Sequence, residues 1–268
     1  MIEKRFLTET ELRTRIPAAF SSSPHSDVST KYVFVPTFKI MNYLDRLGWK
    51  PVSAKQVKSK KNNDYGKHMI RFRKREGLLE KGELVEEIVY TSSHDRSFPA
   101  TLNAGFYRCV CSNQMVVADN EFASVCQRHI GFTFDDLEKL VKEIVKQFTI
   151  ISEKVNTYKT IELTEIEKGK FAYVARNMHW GEDSVINPDS LLEVKRPEDN
   201  KNDLFTIFNR IQEHIMQGGI HYSAPSDKTG KIRRRTTRQI KNVARDLKIN
   251  RDLWIMMAAF ANSRSFVR

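Results

Sequence analysis

The chain has 268 residues, of which 40% are hydrophobic and 29% charged, and a formal net charge of +12. No run approaches the ~20 apolar residues of a membrane-spanning helix, and three cysteines cannot brace a chain this long, which argues against a membrane protein and against a disulfide-framed secreted domain. The charged start at Met1–Phe6 has no apolar stretch behind it, so no signal peptide is expected and a reducing cytoplasm is the default.

Residues 1–30 read as a short helix near Thr10–Arg15, ended by Pro17, and then a serine-rich loop. Tyr32–Val35 reads as a strand and Thr37–Leu47 as a helix stopped by Gly48. A strand-rich block follows, with strands expected at Trp49–Val57, Lys67–Arg75, Leu84–Tyr90, Ala100–Cys111 and Met115–Ala118. From Phe134 to Val155 apolar residues recur at three and four, the signature of a long amphipathic helix. Further helices are expected at Leu163–Met178, at Leu204–Ile215 before Gly218-Gly219, at Thr236–Lys248 and at Asp252–Phe260, with a basic loop or hairpin over 220–235. The expected fold is α+β, an antiparallel sheet meander packed by the long helix, with a C-terminal helical subdomain. The expected division is 1–30 (helix and loop), 31–160 (sheet and long helix) and 161–268 (basic, mainly helical).

Charge is concentrated in two places. Residues 46–75 hold eleven Lys and Arg against one acid, Asp64, and residues 228–251 hold ten against one acid, Asp246. The remainder is net acidic, so the chain carries dedicated basic surfaces, whose usual partner is a polyanion. On the strand at 67–75, alternation turns Lys67, Arg71, Arg73 and Arg75 to one face. Their spacing of about 6.6 Å is close to the phosphate repeat of an extended single strand. In the second region Lys231, Arg233, Arg234 and Arg235 precede a helix on which Arg238, Lys241, Arg245 and Lys248 fall in one stripe. Tyr65, Phe106, Tyr107 and Tyr222 are candidate platforms for stacked bases. The bland alternative is a solvated sheet edge and helix face.

Three chemical constellations are present in weaker form. Cys109, Cys111, Cys126 and His129 have the residue types of a zinc site, though cysteines on one strand face also pack as small hydrophobes. Asp189, Glu193 and Lys195 echo a metal-dependent nuclease, but within eight residues rather than from separate strands. Ser93-His94-Asp95 holds triad residue types, yet neighbours on an extended chain point apart, so a turn is expected. No phosphate loop or dinucleotide fingerprint occurs, and no cofactor is expected.

Ser92-Ser93-His94-Asp95-Arg96-Ser97 and the run Ala104-Gly105-Phe106-Tyr107-Arg108-Cys109-Val110-Cys111-Ser112-Asn113-Gln114-Met115-Val116-Val117 resemble the signature of a family of phage/plasmid-like proteins of unknown function. Thr229-Gly230-Lys231 through Arg234-Arg235, Arg245-Asp246-Leu247 and Asn250-Arg251-Asp252-Leu253-Trp254 extend the resemblance, which spans roughly residues 30–260. The chain departs from the pattern at Arg96 and Gln114, where glycines are expected. The resemblance implies no activity. It implies a mobile element, a bacterial host cytoplasm and work near incoming or replicating DNA. A strand meander followed by a long helix also resembles the core of single-strand annealing proteins.

The expected function is a non-enzymatic nucleic-acid binder that prefers single-stranded DNA and serves strand annealing or recombination, with homo-oligomerisation open. The alternatives are a magnesium-dependent nuclease and a counter-defence protein that binds a host protein.

Overall fold

The computed structural model describes residues 5–29, 32, 34–57, 63–74, 84–109, 113–117, 125–127, 134–226 and 229–265. The chain divides into two units, residues 1–150 with 241–247 and residues 151–240 with 248–268.

The first unit is built on an antiparallel sheet, and the fold is mixed α+β. Helices α1 (Glu9–Arg15) and α2 (Thr37–Arg46) precede β1 (Trp49–Gln56), β2 (His68–Lys74), β3 (Leu84–Ser92), β4 (Ala100–Arg108), β5 (Asn113–Val116) and β6 (Val125–Gln127). The first five strands pair in sequence order, and β6 pairs with β4. Residues 32, 34 and 35, expected as a strand, are irregular. Their side chains pack instead over the end of the sheet, where the Tyr32 hydroxyl donates to the Ser93 carbonyl at 3.2 Å and Phe34 meets the His94 ring edge-on.

Alternation gives the sheet two faces, and both are covered. On one, Ile70, Phe72, Ile88, Ala104 and Phe106 are buried. Helix α3 (Phe134–Tyr158) packs there, with Phe148 5.5 Å from Phe106 and 5.9 Å from Trp49 between ring centroids. Leu137, Val141 and Ile144 continue the same stripe at helical spacing. On the other face Met69, Val89 and Val116 cluster with Val243, the first residue of helix α6 (Val243–Ser265).

That second face also holds charge. Glu87 is 0% exposed and lies between Arg71 (1%) and Arg73 (3%). One Glu87 oxygen accepts from Arg71 Nη1 at 2.9 Å and the other from Arg73 Nε at 2.8 Å. The Arg73 guanidinium also stacks 3.7 Å from the Tyr107 ring centroid. Asp246, in the first turn of α6, lies 3.9 Å from Arg71 and pairs with Lys55. Gly105 makes room for this arrangement. A Cβ there would meet Val89 Cγ2 at 2.7 Å and the Met115 carbonyl at 2.9 Å, and would press within 3.5 Å of Arg71 Nη1. Arg71 Nη1 itself donates to that Met115 carbonyl at 3.2 Å.

The second unit surrounds α5 (Leu204–Gln217), whose residues 204–215 are all buried. A helix apolar or paired on every side is a core helix. Its polar residues have partners: Glu213 takes Arg196 at 2.7 Å and Gln212 donates to Asn250 at 2.5 Å. Helix α4 (Glu165–Trp180) opens on a reciprocal cap between Thr164 and Glu167. A two-stranded ribbon, β7 (His221–Pro225) with β8 (Ile232–Thr236), follows α5. The two helices expected at 236–248 and 252–260 are one helix that starts at Val243. Residues 237–240 are withheld from it by backbone bonds: Gly219 N–H donates to Thr237, Thr237 N–H to Ile220 and Ile240 N–H to Met216. Asn242 then caps the helix through its side chain, which accepts from Arg245 N–H at 3.0 Å.

Glu87→Gln leaves two guanidiniums inside the sheet without their shared counter-ion, and an expected loss of about 3–5 kcal/mol is readable as a lowered urea midpoint. A midpoint equal to that of the parent would contradict the pairing. Arg96, one of the two positions where glycine is expected from the family pattern, has φ 64°. The left-handed region costs a side-chain-bearing residue about 1–2 kcal/mol, so Arg96→Gly should hold stability or raise it by up to ~1 kcal/mol net, read as an unchanged or higher melting temperature. A clear loss of stability would contradict this.

Candidate nucleic-acid interface

The two basic stretches have different fates. In the first, most of the described cations are spent internally. Arg71 and Arg73 are buried on Glu87, Lys55 pairs with Asp246, and Lys50 pairs with Asp45 at 2.5 Å. Lys67 is half-buried, with its ammonium 5.6 Å from the Phe98 ring centroid. Lys74 is exposed, its ammonium 5.5 Å from the ring centroid of buried Trp49. The outward row expected along this strand is therefore absent at Arg71 and Arg73. The reason is non-local: the acids that neutralise these cations come from β3 and α6, outside the 46–75 window. Arg75, Lys58, Lys60 and Lys61 lie outside the described residues. Two of the candidate base platforms are also internal, Phe106 against Phe148 and Tyr107 under Arg73. Tyr65 and Tyr222 are half-buried.

In the second stretch Lys231, Arg233, Arg234, Arg238 and Lys241 are all exposed, and Arg245 is exposed on the first turn of α6. The helical stripe expected from Arg238 to Lys248 is not formed as such, because Arg238 and Lys241 precede the helix. Lys248 pairs with Asp252 one turn on. The one acid of the stretch, Asp246, is buried and turned toward Lys55 and Arg71. The one acid within 228–251 is thus turned to other partners, while Asp227, in the connection between β7 and β8, lies outside the described residues.

The ribbon gives these cations defined directions. Its register pairs Tyr222 with Arg235, Ser223 with Arg234, Ala224 with Arg233 and Pro225 with Ile232. Arg233 and Arg235 thus share one face and Arg234 takes the other. The Arg235 guanidinium donates to the Pro225 carbonyl at 3.1 Å, which ties it along the ribbon. The base is fixed to the end of α5. Gly218 has φ 69°, and a Cβ there would meet Arg238 C and Thr237 O at 2.7 Å. Only glycine permits this close approach.

The other constellations are not assembled among the described residues. Asp189 and Glu193 are exposed, and Lys195 lies 3.6 Å from Glu213, which already holds Arg196. Among the described residues no three His, Cys, Asp or Glu side chains converge as a metal-binding group. Of the zinc set, Cys109 is exposed, Cys126 lies in β6, and Cys111 and His129 fall outside the described residues. Asp95 accepts from Ser97 N–H at 3.0 Å and Ser93 Oγ accepts from Phe98 N–H at 2.8 Å, so this segment is a turn. Among the described residues no helix is long and apolar enough to cross a membrane.

His94 belongs to a different structure, a buried polar relay. Thr37 Oγ1 sits 2.9 Å from His68 Nε2 and 3.3 Å from His94 Nε2, and all three residues are 0% exposed. His68 Nδ1 lies 2.9 Å from the Gly66 carbonyl, which can only accept. That assigns the His68 proton to Nδ1, so Nε2 accepts from the Thr37 hydroxyl, which in turn accepts from His94. The relay ties the first residue of α2 to the end of the sheet. Burial pushes the His68 pKa down to about 4.

The family model for a domain of unknown function, DUF932, matches residues 24–254. The chain is 31% identical to the UPF0380 protein YfjQ of Escherichia coli (strain K12) over 94% of its own length and 90% of that protein. It is 31% identical to the UPF0380 protein YafZ of the same strain, over 95% and 92%. No solved structure matches it.

The relay predicts an acid-side loss of stability. The ordinary histidine value is 6.5 and the folded value is about 4. Above pH 6.5 neither state binds the proton. Below it the unfolded chain takes up a proton that folded His68 refuses, so stability falls as pH drops, until pH reaches about 4. The slope is about 1.4 kcal/mol per pH unit, or about 3 kcal/mol across the window. His214, also lowered by burial, adds in the same direction. Glu11 and Glu167, held down to about 2 by hydrogen bonds from Arg5 and Arg264, act only below about 4.5. Urea midpoints that stay flat between pH 6.5 and 4.5 would contradict the buried, neutral assignment.

Proposed function

We propose that this chain, which belongs to the DUF932 family of domains of unknown function, binds nucleic acid through the Arg-rich β7–β8 ribbon and the segment that follows it. The observation that carries this reading is the state of the 228–251 stretch. Lys231, Arg233, Arg234, Arg238 and Lys241 are exposed, while the stretch's one acid is buried on Lys55 and Arg71. Arginine on an extended, accessible ribbon suits phosphate oxygens, because its planar fork donates two parallel hydrogen bonds. The reading is for binding, with no catalytic step. The family resemblance to phage- and plasmid-borne proteins supports work on the DNA of a mobile element in a bacterial host.

A preference for single strands loses its main support. It rested on Arg71 and Arg73 tracking a backbone from the sheet, and both are buried under Glu87. The ribbon by itself offers phosphate contacts to either form. A counter-defence role at a host protein is the outcome to consider if nucleic acid is not bound.

Fluorescence anisotropy against matched single- and double-stranded oligonucleotides over a salt series tests the proposal. Three phosphate contacts, at Lys231, Arg233 and Arg238, predict log–log slopes of about −2.1 on single strands and about −2.7 on duplex. Reversing Arg233 and Arg238 together to Glu should flatten either slope by about 1.4–1.8. No binding at low salt, or a slope untouched by the double reversal, would overturn the reading.

A further inference from the structure

The ribbon's two faces differ in a way that points to one form of ligand. On the inner face Tyr222, Ala224 and Arg235 are half-buried, and Arg233, at the turn end, is exposed. On the outer face His221, Ser223, Pro225, Ile232, Arg234 and Thr236 are all exposed. The outer face has a clear order from turn to base: the apolar pair Pro225–Ile232, then Ser223–Arg234, then His221–Thr236. Ile232 is 75% exposed, more than any other large apolar side chain among the described residues. Exposing an isoleucine beside Lys231 and Arg233 gives nothing to the fold. With the cations on either side, it fits a partner that offers anionic edges with an apolar or hydrogen-bonding floor between them.

Resting on the proposed nucleic-acid function, we infer that the ribbon lies outer face down in the major groove of duplex DNA. A two-stranded ribbon, with strands about 5 Å apart and side chains bringing it to about 10 Å, fits a groove about 12 Å wide. Arg234 and Ser223 then face base edges, where an arginine fork pairs with guanine O6 and N7. Pro225 and Ile232 meet thymine methyl groups, the one apolar feature of that groove. Arg233, on the inner face at the turn end, and Lys231 reach the flanking phosphates, which position the ribbon but read no sequence. His221 Nδ1 is 2.9 Å from the Thr236 hydroxyl, and the Gly218–Gly219 anchor holds the base, so the reading face is presented without a folding cost on binding. A single strand offers neither groove walls nor a floor of this width. One isoleucine and one proline are also too little apolar surface to hold a membrane.

The test is selection from a randomised 20-base-pair duplex pool, followed by anisotropy on the enriched duplex, its single strands and a version with uracil in place of thymine. The inference expects an enriched sequence and duplex binding tighter than either strand. Uracil replacement should weaken binding in the full chain but not in Ile232→Ser. Arg234→Ala should lose about ten- to hundredfold in discrimination over random duplex. Arg233→Ala should weaken all duplexes alike and flatten the salt slope by about 1. Both arginines are exposed, and unchanged melting temperatures confirm that the variants fold. A pool that shows no enrichment, or salt-dependent binding equal on duplex and single strand, overturns the groove inference and leaves the nucleic-acid reading standing. No binding in any arm overturns both.

Discussion

The first unit depends on one carboxylate. Glu87 sits in the third strand of a sheet covered on both faces and holds the guanidiniums of Arg71 and Arg73. Two arginines without it would be a prohibitive burial, since unpaired charge in an apolar interior costs several kcal/mol per ion. With it, and with Asp246 on the far side of Arg71, the second face of the sheet closes under the first turn of α6. Gly105 belongs to the same face, because a side chain there would run into Val89 and the Met115 carbonyl that accepts from Arg71. Part of the family signature around residues 104–117 thus has a packing reason, which needs no ligand.

This arrangement explains why charge read in windows along the chain misleads here. Of the eleven cations in the run at 46–75, Arg71 and Arg73 are held inside the sheet by Glu87, and Lys50 and Lys55 pair with Asp45 and Asp246. Strand pairing joins positions far apart in sequence, so a local count cannot see the acids that arrive from Glu87 and Asp246. The helices were easier to read, because their contacts repeat at three and four within one segment: α3, α4 and α5 lie within a few residues of where periodicity puts them. The order of β1 to β5 was equally open, as each pairs with its sequence neighbour, whereas β6, which pairs with β4, was not expected. The start of α6 was hidden, since residues 237–240 have helical propensity but spend their backbone groups on Met216, Gly219 and Ile220.

The second basic stretch behaves in the opposite way, and part of this was legible. Gly218-Gly219, the turn at Thr229-Gly230 and the arginine triplet mark a hairpin that leaves cations outside. What the sequence did not reveal is the alternation of burial across that hairpin, which sends Arg234 and Ile232 to one face and Arg235 to the other. The same residue type therefore serves two ends in one chain. Arginine inside the sheet is structural, and arginine on the ribbon is the surface through which we propose the protein meets its ligand.

Arginine-specific modification read by mass spectrometry, with and without oligonucleotide, tests that division most directly. Arg233, Arg234 and Arg238 should react with phenylglyoxal in the free protein and be protected by nucleic acid, while Arg71 and Arg73 stay unreactive in both states. Ready modification of Arg71 and Arg73 that nucleic acid suppresses, with the ribbon arginines unaffected by ligand, would contradict the account.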